Sequence, residues 1–323
     1  MSDLPKRVEI HEEGPREGFQ IEAGPISTAD KIRFCEALAE TGLKDVQCVS
    51  FVDPRRVPGM ADAVEVAQTI RQRPDVHYTG IALNLRGYER AVQTPLHITG
   101  SLQMSASNTF SIHNTNKNNA ETLVEQRRQL EFFRERGIPV DSAIVMTAFG
   151  CNFEGAIAPE TVRNCVGELL ALADEFGISL DRVRLADTVG WASPAQVQRV
   201  IGVVREKWPD LRLALHLHDT RGTGMANALM GLQMGIDSFD SSCAGLGGCP
   251  FAGHKGAAGN ICTEDLVFMC EEMGIETGIN LDALIDCARM AEDIVGHPLP
   301  GKIMHGGSLS KFRTAATANG GHA

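Results

Sequence analysis

The stretch Leu211-Arg212-Leu213-Ala214-Leu215-His216-Leu217-His218-Asp219-Thr220 decides the fold. From Leu211 to Leu217 a leucine stands at every second position, the period of a strand with one buried face. The same period puts His216 and His218 together on the other face, roughly 6.5 Å apart along the backbone by the strand rise. Two imidazoles converging at the end of a strand can share one metal ion. The alternative is a pair of core histidines, but burying two polar rings without partners costs about 1–3 kcal/mol each. A same-face pair followed by Asp219-Thr220 therefore favours the metal.

Outward from this strand the chain alternates. Further β-prone runs lie at 8–11, 45–52, 77–82, 96–104, 140–147, 182–186 and 238–242, with 211–218 as the seventh of eight. Helix-period segments lie between them at 27–41, 62–72, 120–136, 159–176, 193–207 and 223–234. Ser27, Ser193 and Thr223 stand where N-caps belong, and Gly42, Gly137, Gly177 and Gly235 where a left-handed closing residue belongs. Eight β–α alternations in about 250 residues predict an α/β fold, a (β/α)8 TIM barrel with additional C-terminal helices. An open doubly wound sheet lacks its early G-x-G-x-x-G turn here. The expected division is a barrel domain over 1–262 and a helical extension over 263–323 packed on it. That extension carries helices at 264–273 and 281–295 and a flexible Ala/Thr/Gly/Asn-rich tail.

Composition narrows the function classes. Hydrophobic content of 43% and charged content of 22% are those of an ordinary soluble globule. A net charge of −11 argues against nucleic acid or an anionic membrane as the main partner. No run approaches the roughly 18 apolar residues of a membrane span, and the N-terminus has no signal-peptide core. Nine cysteines, an odd number spread through strand-like and helix-like segments, do not form a disulfide framework, and a cytoplasmic location is expected.

A parallel barrel demands its reactive groups at the C-terminal ends of strands. The first strand ends in Glu12-Glu13-Gly14-Pro15-Arg16-Glu17-Gly18, which reads equally as a solvated turn or as charge aimed inward. The sixth ends in Ala186-Asp187-Thr188, where Asp187 reads as a loop or cap residue or as a site carboxylate. The eighth leads into Ala244-Gly245-Leu246-Gly247-Gly248-Cys249-Pro250, a glycine-dense loop whose cysteine can act as acid, base or nucleophile. Cys243 is the weaker rival for that role, and the remaining cysteines read as buried thiols. Asn260 either caps the following helix or completes a metal site with two imidazoles and a carboxylate, a set that suits Mg²⁺, Mn²⁺ or Zn²⁺.

Together these strand-end motifs resemble the 3-hydroxy-3-methylglutaryl-CoA lyase family of metal-dependent barrel lyases, from residue 8 to about 269. The most specific part runs from Asp240-Ser241-Ser242 through Gly245-Leu246-Gly247-Gly248-Cys249-Pro250-Phe251 to Gly259-Asn260 and Thr263-Glu264-Asp265-Leu266. Ser50-Phe51-Val52 with Pro54 and Val57-Pro58 add to it. The resemblance implies a divalent ion, Mg²⁺ or Mn²⁺ before Zn²⁺, held by His216, His218, Asn260 and Glu17. It implies catalytic roles for Arg16, Cys249, Asp187 and His218. Arg16 would neutralise a thioester enolate, Cys249 would protonate the departing acetyl-CoA carbanion, and Asp187 would assist deprotonation of the substrate hydroxyl. The reaction implied is retro-Claisen cleavage of a carboxylated 3-hydroxyacyl-CoA to acetyl-CoA and a keto acid, and by analogy a homodimer is expected.

Four positions depart from the family pattern. Glu17 stands where the family carries Asp, and the added methylene moves the carboxylate by roughly 1.5 Å. Gln47 stands where the second strand usually offers a glutamate, Ile21-Glu22-Ala23 replaces an Asn- and Lys-bearing stretch, and Gly253-His254-Lys255 lengthens the cysteine loop. These imply a divergent member whose acyl group can differ from 3-hydroxy-3-methylglutaryl. Two rivals stand beside the lyase: a condensing enzyme or aldolase joining acetyl-CoA to a 2-oxo acid, and a silent barrel that binds an acyl-CoA or a partner protein. The cysteine loop favours the lyase, and the retained His216, His218, Arg16 and Cys249 weigh against silence.

Overall fold

A computed structural model describes residues 4–22, 24–248, 259–310 and 312–313. Its eight strands are β1 (Glu9–Glu12), β2 (Asp45–Ser50), β3 (His77–Ile81), β4 (Gly100–Ser105), β5 (Val140–Met146), β6 (Arg182–Ala186), β7 (Leu213–His216) and β8 (Ser238–Ser241). They pair in parallel in the order β3-β2-β1-β8-β7-β6-β5-β4. The two outer strands meet through the parallel bridge of Thr79 with His97, where the His97 amide donates to the Tyr78 carbonyl at 2.8 Å. That contact closes the ring, so the architecture is a (β/α)8 barrel. The run predicted from residue 96 thus splits. Residue 97 pairs with β3, and the ladder to β5 starts at Gly100 with a register irregularity. A Cβ on Gly100 would sit 2.5 Å from the Phe133 ring, so only glycine lets the helix above approach this strand.

Alternation along β7 is as the leucine period requires. A Cβ on Gly231 would come 2.5 Å from Leu215, which places that leucine directly under the helix Gly224–Gln233. Leu213, Leu215 and Leu217 are buried in the main core, each contributing about 1.5–3 kcal/mol. The other face looks into the barrel, and that lumen is charged. Arg182 on β6 reaches Glu9 (2.9 Å) and His11 (2.9 Å) on β1, three strands away around the ring. Such contacts exist only across the barrel axis. Where most barrels stack branched aliphatics, this one holds a cavity of about 710 Å³ lined by Glu9, His11, Glu13, Gln47, Arg182 and Arg184, among others.

Ser27 caps its helix by accepting from the Asp30 amide at 3.0 Å, and Ser193 forms a reciprocal capping box with Gln196. Thr223 does not cap: its hydroxyl donates to the Ala192 carbonyl, and Asp219 accepts from the Gly224 amide instead, at 2.7 Å. The helices Leu85–Ala91 and Asn108–Thr115 were not predicted, being too short to show a period; Asn84 and Ser107 cap them. Helix Thr263–Glu272 follows β8, next to helix Gly224–Gln233. Helix Leu281–Val295 packs between it and helix Thr28–Glu40, as a ninth member of the outer ring.

Candidate active site

At the end of β7 the two imidazoles face each other, His216 Nε2 to His218 Nε2 at 3.1 Å. Two ring nitrogens this close need a proton or a cation between them. His216 donates from Nδ1 to Asp240 Oδ2 at 3.0 Å, and Asp240 is held in turn by Arg184 Nε at 2.9 Å. This fixes the orientation of the ring and leaves Nε2 toward the cluster. Burial opposes a charge on His216. The bond to Asp240 and the carboxylates of Glu13 and Glu17 outweigh it and push its pKa up to about 9. Burial likewise opposes ionisation of Asp240, but Arg184 and His216 bring it down to about 2.

Glu17 comes from the first loop. Residues Gly14–Gly18 form one turn of π-helix opened by Pro15, a device that swings successive side chains inward from the strand end. A Cβ on Gly18 would lie 2.6 Å from Leu246, so glycine lets this turn seat against the eighth loop. Glu17 Oε1 ends 3.4 Å from His218 Nε2, and its Oε2 lies 3.1 Å from Arg16 Nη1. Burial would raise the Glu17 pKa, but Arg16 and the hydrogen bond to His218 hold it well below the usual carboxylate range. The ligand atoms of Glu17, His216 and His218 all lie within 4.8 Å of one another. The longer arm of glutamate thus reaches the histidines.

Arg16, which shares that turn, is gripped by three oxygens. Its Nη2 meets Glu13 Oε2 at 2.8 Å, Nη1 meets Glu17, and Nε donates to Gln47 Oε1. Glu13, Asp240 and Arg184 were missed as site residues by the sequence reading. Glu13 had a signal in period two, since Glu9, His11 and Glu13 continue one face. Asp240 stands in the motif that carries the family resemblance, yet only strand register sets it beside His216, with Arg184 behind it.

Asp187 opens the sixth loop, directly after β6. Its Oδ1 accepts from the Trp191 and Ala192 amides at 2.7 and 3.1 Å, organising the sixth loop, while Oδ2 is buried with no hydrogen-bond partner among the described residues. Burial raises its pKa, and His218 counters. Asn260 is not a helix cap; Cys262 occupies that position. Its backbone pairs antiparallel with His218, held by bonds from the Asp219 amide to the Gly259 carbonyl and the Ile261 amide to the Leu217 carbonyl. The Asn260 side chain donates to Ser242 Oγ at 3.0 Å and keeps Oδ1 buried, with no hydrogen-bond partner among the described residues. Cys249 and 253–255 lie outside the described residues. Cys243 faces helix Leu281–Val295, its thiol 3.9 Å from the Leu284 carbonyl, and burial pushes its pKa well up. It is no rival for a role at the cluster.

Fold and site together define a parallel-barrel enzyme of the metal-site type, with two histidines, a carboxylate and a buried arginine at the C-terminal rim. A family model described as HMGL-like matches residues 7–291. The chain belongs to that family. It is 40% identical over 298 residues to the hydroxymethylglutaryl-CoA lyase YngG of Bacillus subtilis, covering 92% of this chain and 96% of the relative. It is 38% identical to the human mitochondrial hydroxymethylglutaryl-CoA lyase, covering 88% and 85%. A solved HMG-CoA lyase from Acinetobacter baumannii, in complex with coenzyme A and 3-methylmalate, superposes with a TM-score of 0.85 at 37% identity, covering 96% and 98%.

Proposed function

We propose that the chain is a carbon–carbon lyase that cleaves a carboxylated 3-hydroxyacyl-CoA, 3-hydroxy-3-methylglutaryl-CoA or a close relative, to acetyl-CoA and a keto acid. The observation that carries this is the convergence of Glu17, His216 and His218 beside Arg16 at the barrel rim. The metal fits the residues present: two imidazole nitrogens face one point, Glu17 adds an oxygen, and Asn260 Oδ1 is a buried acceptor with no partner among the described residues. These four would hold it, and Mg²⁺ or Mn²⁺ suits such a mixed set, with Zn²⁺ the competitor. When bound, a divalent ion there polarises the substrate hydroxyl and fixes its orientation.

The chain's own groups do the rest. Asp187, with one oxygen committed to its loop and one free, takes the hydroxyl proton as the C2–C3 bond breaks. The electron pair passes to the thioester, and Arg16 neutralises the enolate oxygen from a buried position where its charge is little screened. Cys249 then protonates C2 to release acetyl-CoA. His218 serves the reaction by holding Glu17 and by the charge interaction through which it counters the raised pKa of Asp187. Relatives named as lyases support this reading over condensation of acetyl-CoA with a 2-oxo acid. The charged cluster supports it over a silent acyl-CoA-binding barrel. No helix among the described residues is long and apolar enough to cross a membrane; a cytoplasmic location and a homodimer complete the proposal. The test is an assay of the metal-reconstituted protein over a panel of 3-hydroxyacyl-CoA thioesters, reading free acetyl-CoA. Cleavage of at least one member is expected, and none with bound metal confirmed would refute the reading.

A further inference from the structure

The adjacent glutamates at the end of β1 have opposite duties. Glu12 is tied to the frame: its carboxylate accepts from the Gly14 amide (2.8 Å), the Cys243 amide (2.9 Å) and the Thr263 hydroxyl (2.5 Å). Glu13 caps nothing, although it stands at the head of the π-turn. Its side-chain contacts are Arg16 Nη2 at 2.8 Å and His216 Nδ1 at 3.6 Å, both from the same oxygen. Among the described residues no backbone hydrogen bond reaches this carboxylate, which is only 8% exposed, so Arg16 and His216 are what it answers to.

We infer that Glu13 is a positioning residue that locks Arg16 to His216, supplying from β1 the negative charge that neutral Gln47 on β2 does not. Arg16 has two anionic neighbours, Glu13 and Glu17, and Glu17 is shared with His218. With Glu13 satisfying the guanidinium, Glu17 keeps one oxygen for the histidines. Without it, Glu17 is drawn wholly to Arg16. The inference rests on the lyase reading for its effect on turnover, but its effect on the histidine cluster is independent of that reading. Glu13 and Gln47 also line the lumen cavity, so a shortened side chain leaves room for a small carboxylate to enter.

The experiment compares the wild type with Glu13→Gln, Glu13→Ala and the double variant Glu13→Gln/Gln47→Glu. Turnover is read on the best thioester, and Mn²⁺ is titrated into the resting protein. Glu13→Gln is expected to lower kcat about 100-fold with KM and the thermal midpoint little changed, the cost of misplacing a group by about 1 Å. It is expected to weaken Mn²⁺ binding about tenfold, as loss of a group behind a ligand does. Gln47→Glu in that background should recover at least about tenfold in kcat, and added formate should restore Glu13→Ala saturably. Kcat and Mn²⁺ affinity of Glu13→Gln within about threefold of wild type overturn the inference and leave the lyase reading standing. Loss of activity that neither formate nor Gln47→Glu relieves overturns it also. If the wild type cleaves no thioester, the lyase reading falls, and the Mn²⁺ affinities alone decide the role of Glu13.

Discussion

Replacing Glu264 by Gln should remove a pH-dependent weakness from the loop that leads toward Cys249. Glu264 is fully buried at the start of helix Thr263–Glu272. Its Oε2 accepts from the Ala244 amide at 2.9 Å, and its Oε1 has no hydrogen-bond partner among the described residues. Ala244 sits at φ 60°, a left-handed conformation that a non-glycine residue adopts at a cost, so the bond to Glu264 matters there. Burial drives the Glu264 pKa from 4.5 up to about 8, against the opposing bond from Ala244. The folded value is raised, so the folded state holds a proton that the unfolded chain has released. The associated stability is fully present below about pH 4.5 and is lost as pH rises toward 8. Each pH unit in that window costs about 1.4 kcal/mol, so between about pH 5.5 and 8 the wild type should lose about 3 kcal/mol that Glu264→Gln keeps. Gln has the shape of the protonated acid and can still accept from Ala244, so the two proteins should match within about 1 kcal/mol at pH 4.5.

Urea unfolding of both proteins across that pH range gives the difference directly. Glu12, which burial pushes up to about 7, slopes in the same direction in both and cancels. A difference that stays flat from pH 5.5 to 8.5 would refute the reasoning, because it would mean that Glu264 does not hold its proton in the fold.

Gly259→Ala would place a Cβ 2.3 Å from the Gly247 carbonyl carbon and 2.6 Å from the Gly248 amide, backbone atoms that cannot yield cheaply. A destabilisation of about 3 kcal/mol in urea unfolding, with weakened Mn²⁺ binding through displaced Asn260, is expected. Asp240→Asn should weaken Mn²⁺ binding about 10- to 100-fold in titration, since His216 loses the partner that orients its ring. Cys249→Ala should depress acetyl-CoA release by at least about 100-fold with an unchanged circular dichroism spectrum, and unaltered release would remove the thiol from the mechanism.

Much of the site was legible because it follows from local periods. Spacing of two on a strand obliges His216 and His218 to share a face, and the glycine-rich eighth loop announces a close approach that Gly259 against Gly247 makes concrete. Arg16 and Glu17 were readable as charges at a strand end. That glutamate, one methylene longer than the family's aspartate, still reaches His218 depends on the π-turn, which no local pattern signals. Thr223 misled because its cap competes with Asp219, brought back by a turn over the same loop.

The sequence by itself therefore determined the barrel and the shared face of the two histidines, since each is written in spacings of a few residues, while the class of chemistry came from the resemblance of its strand-end motifs to a known family. Only the tertiary structure decided the company those histidines keep. Asp240 reaches His216 through the register of β7 with β8, and Arg184 and Glu13 reach the same cluster from β6 and β1. The physical reason is that a charge can enter a barrel lumen only with its counter-charge. In this chain those counter-charges come from strands far apart in sequence, so their pairing is a property of ring closure rather than of any single strand.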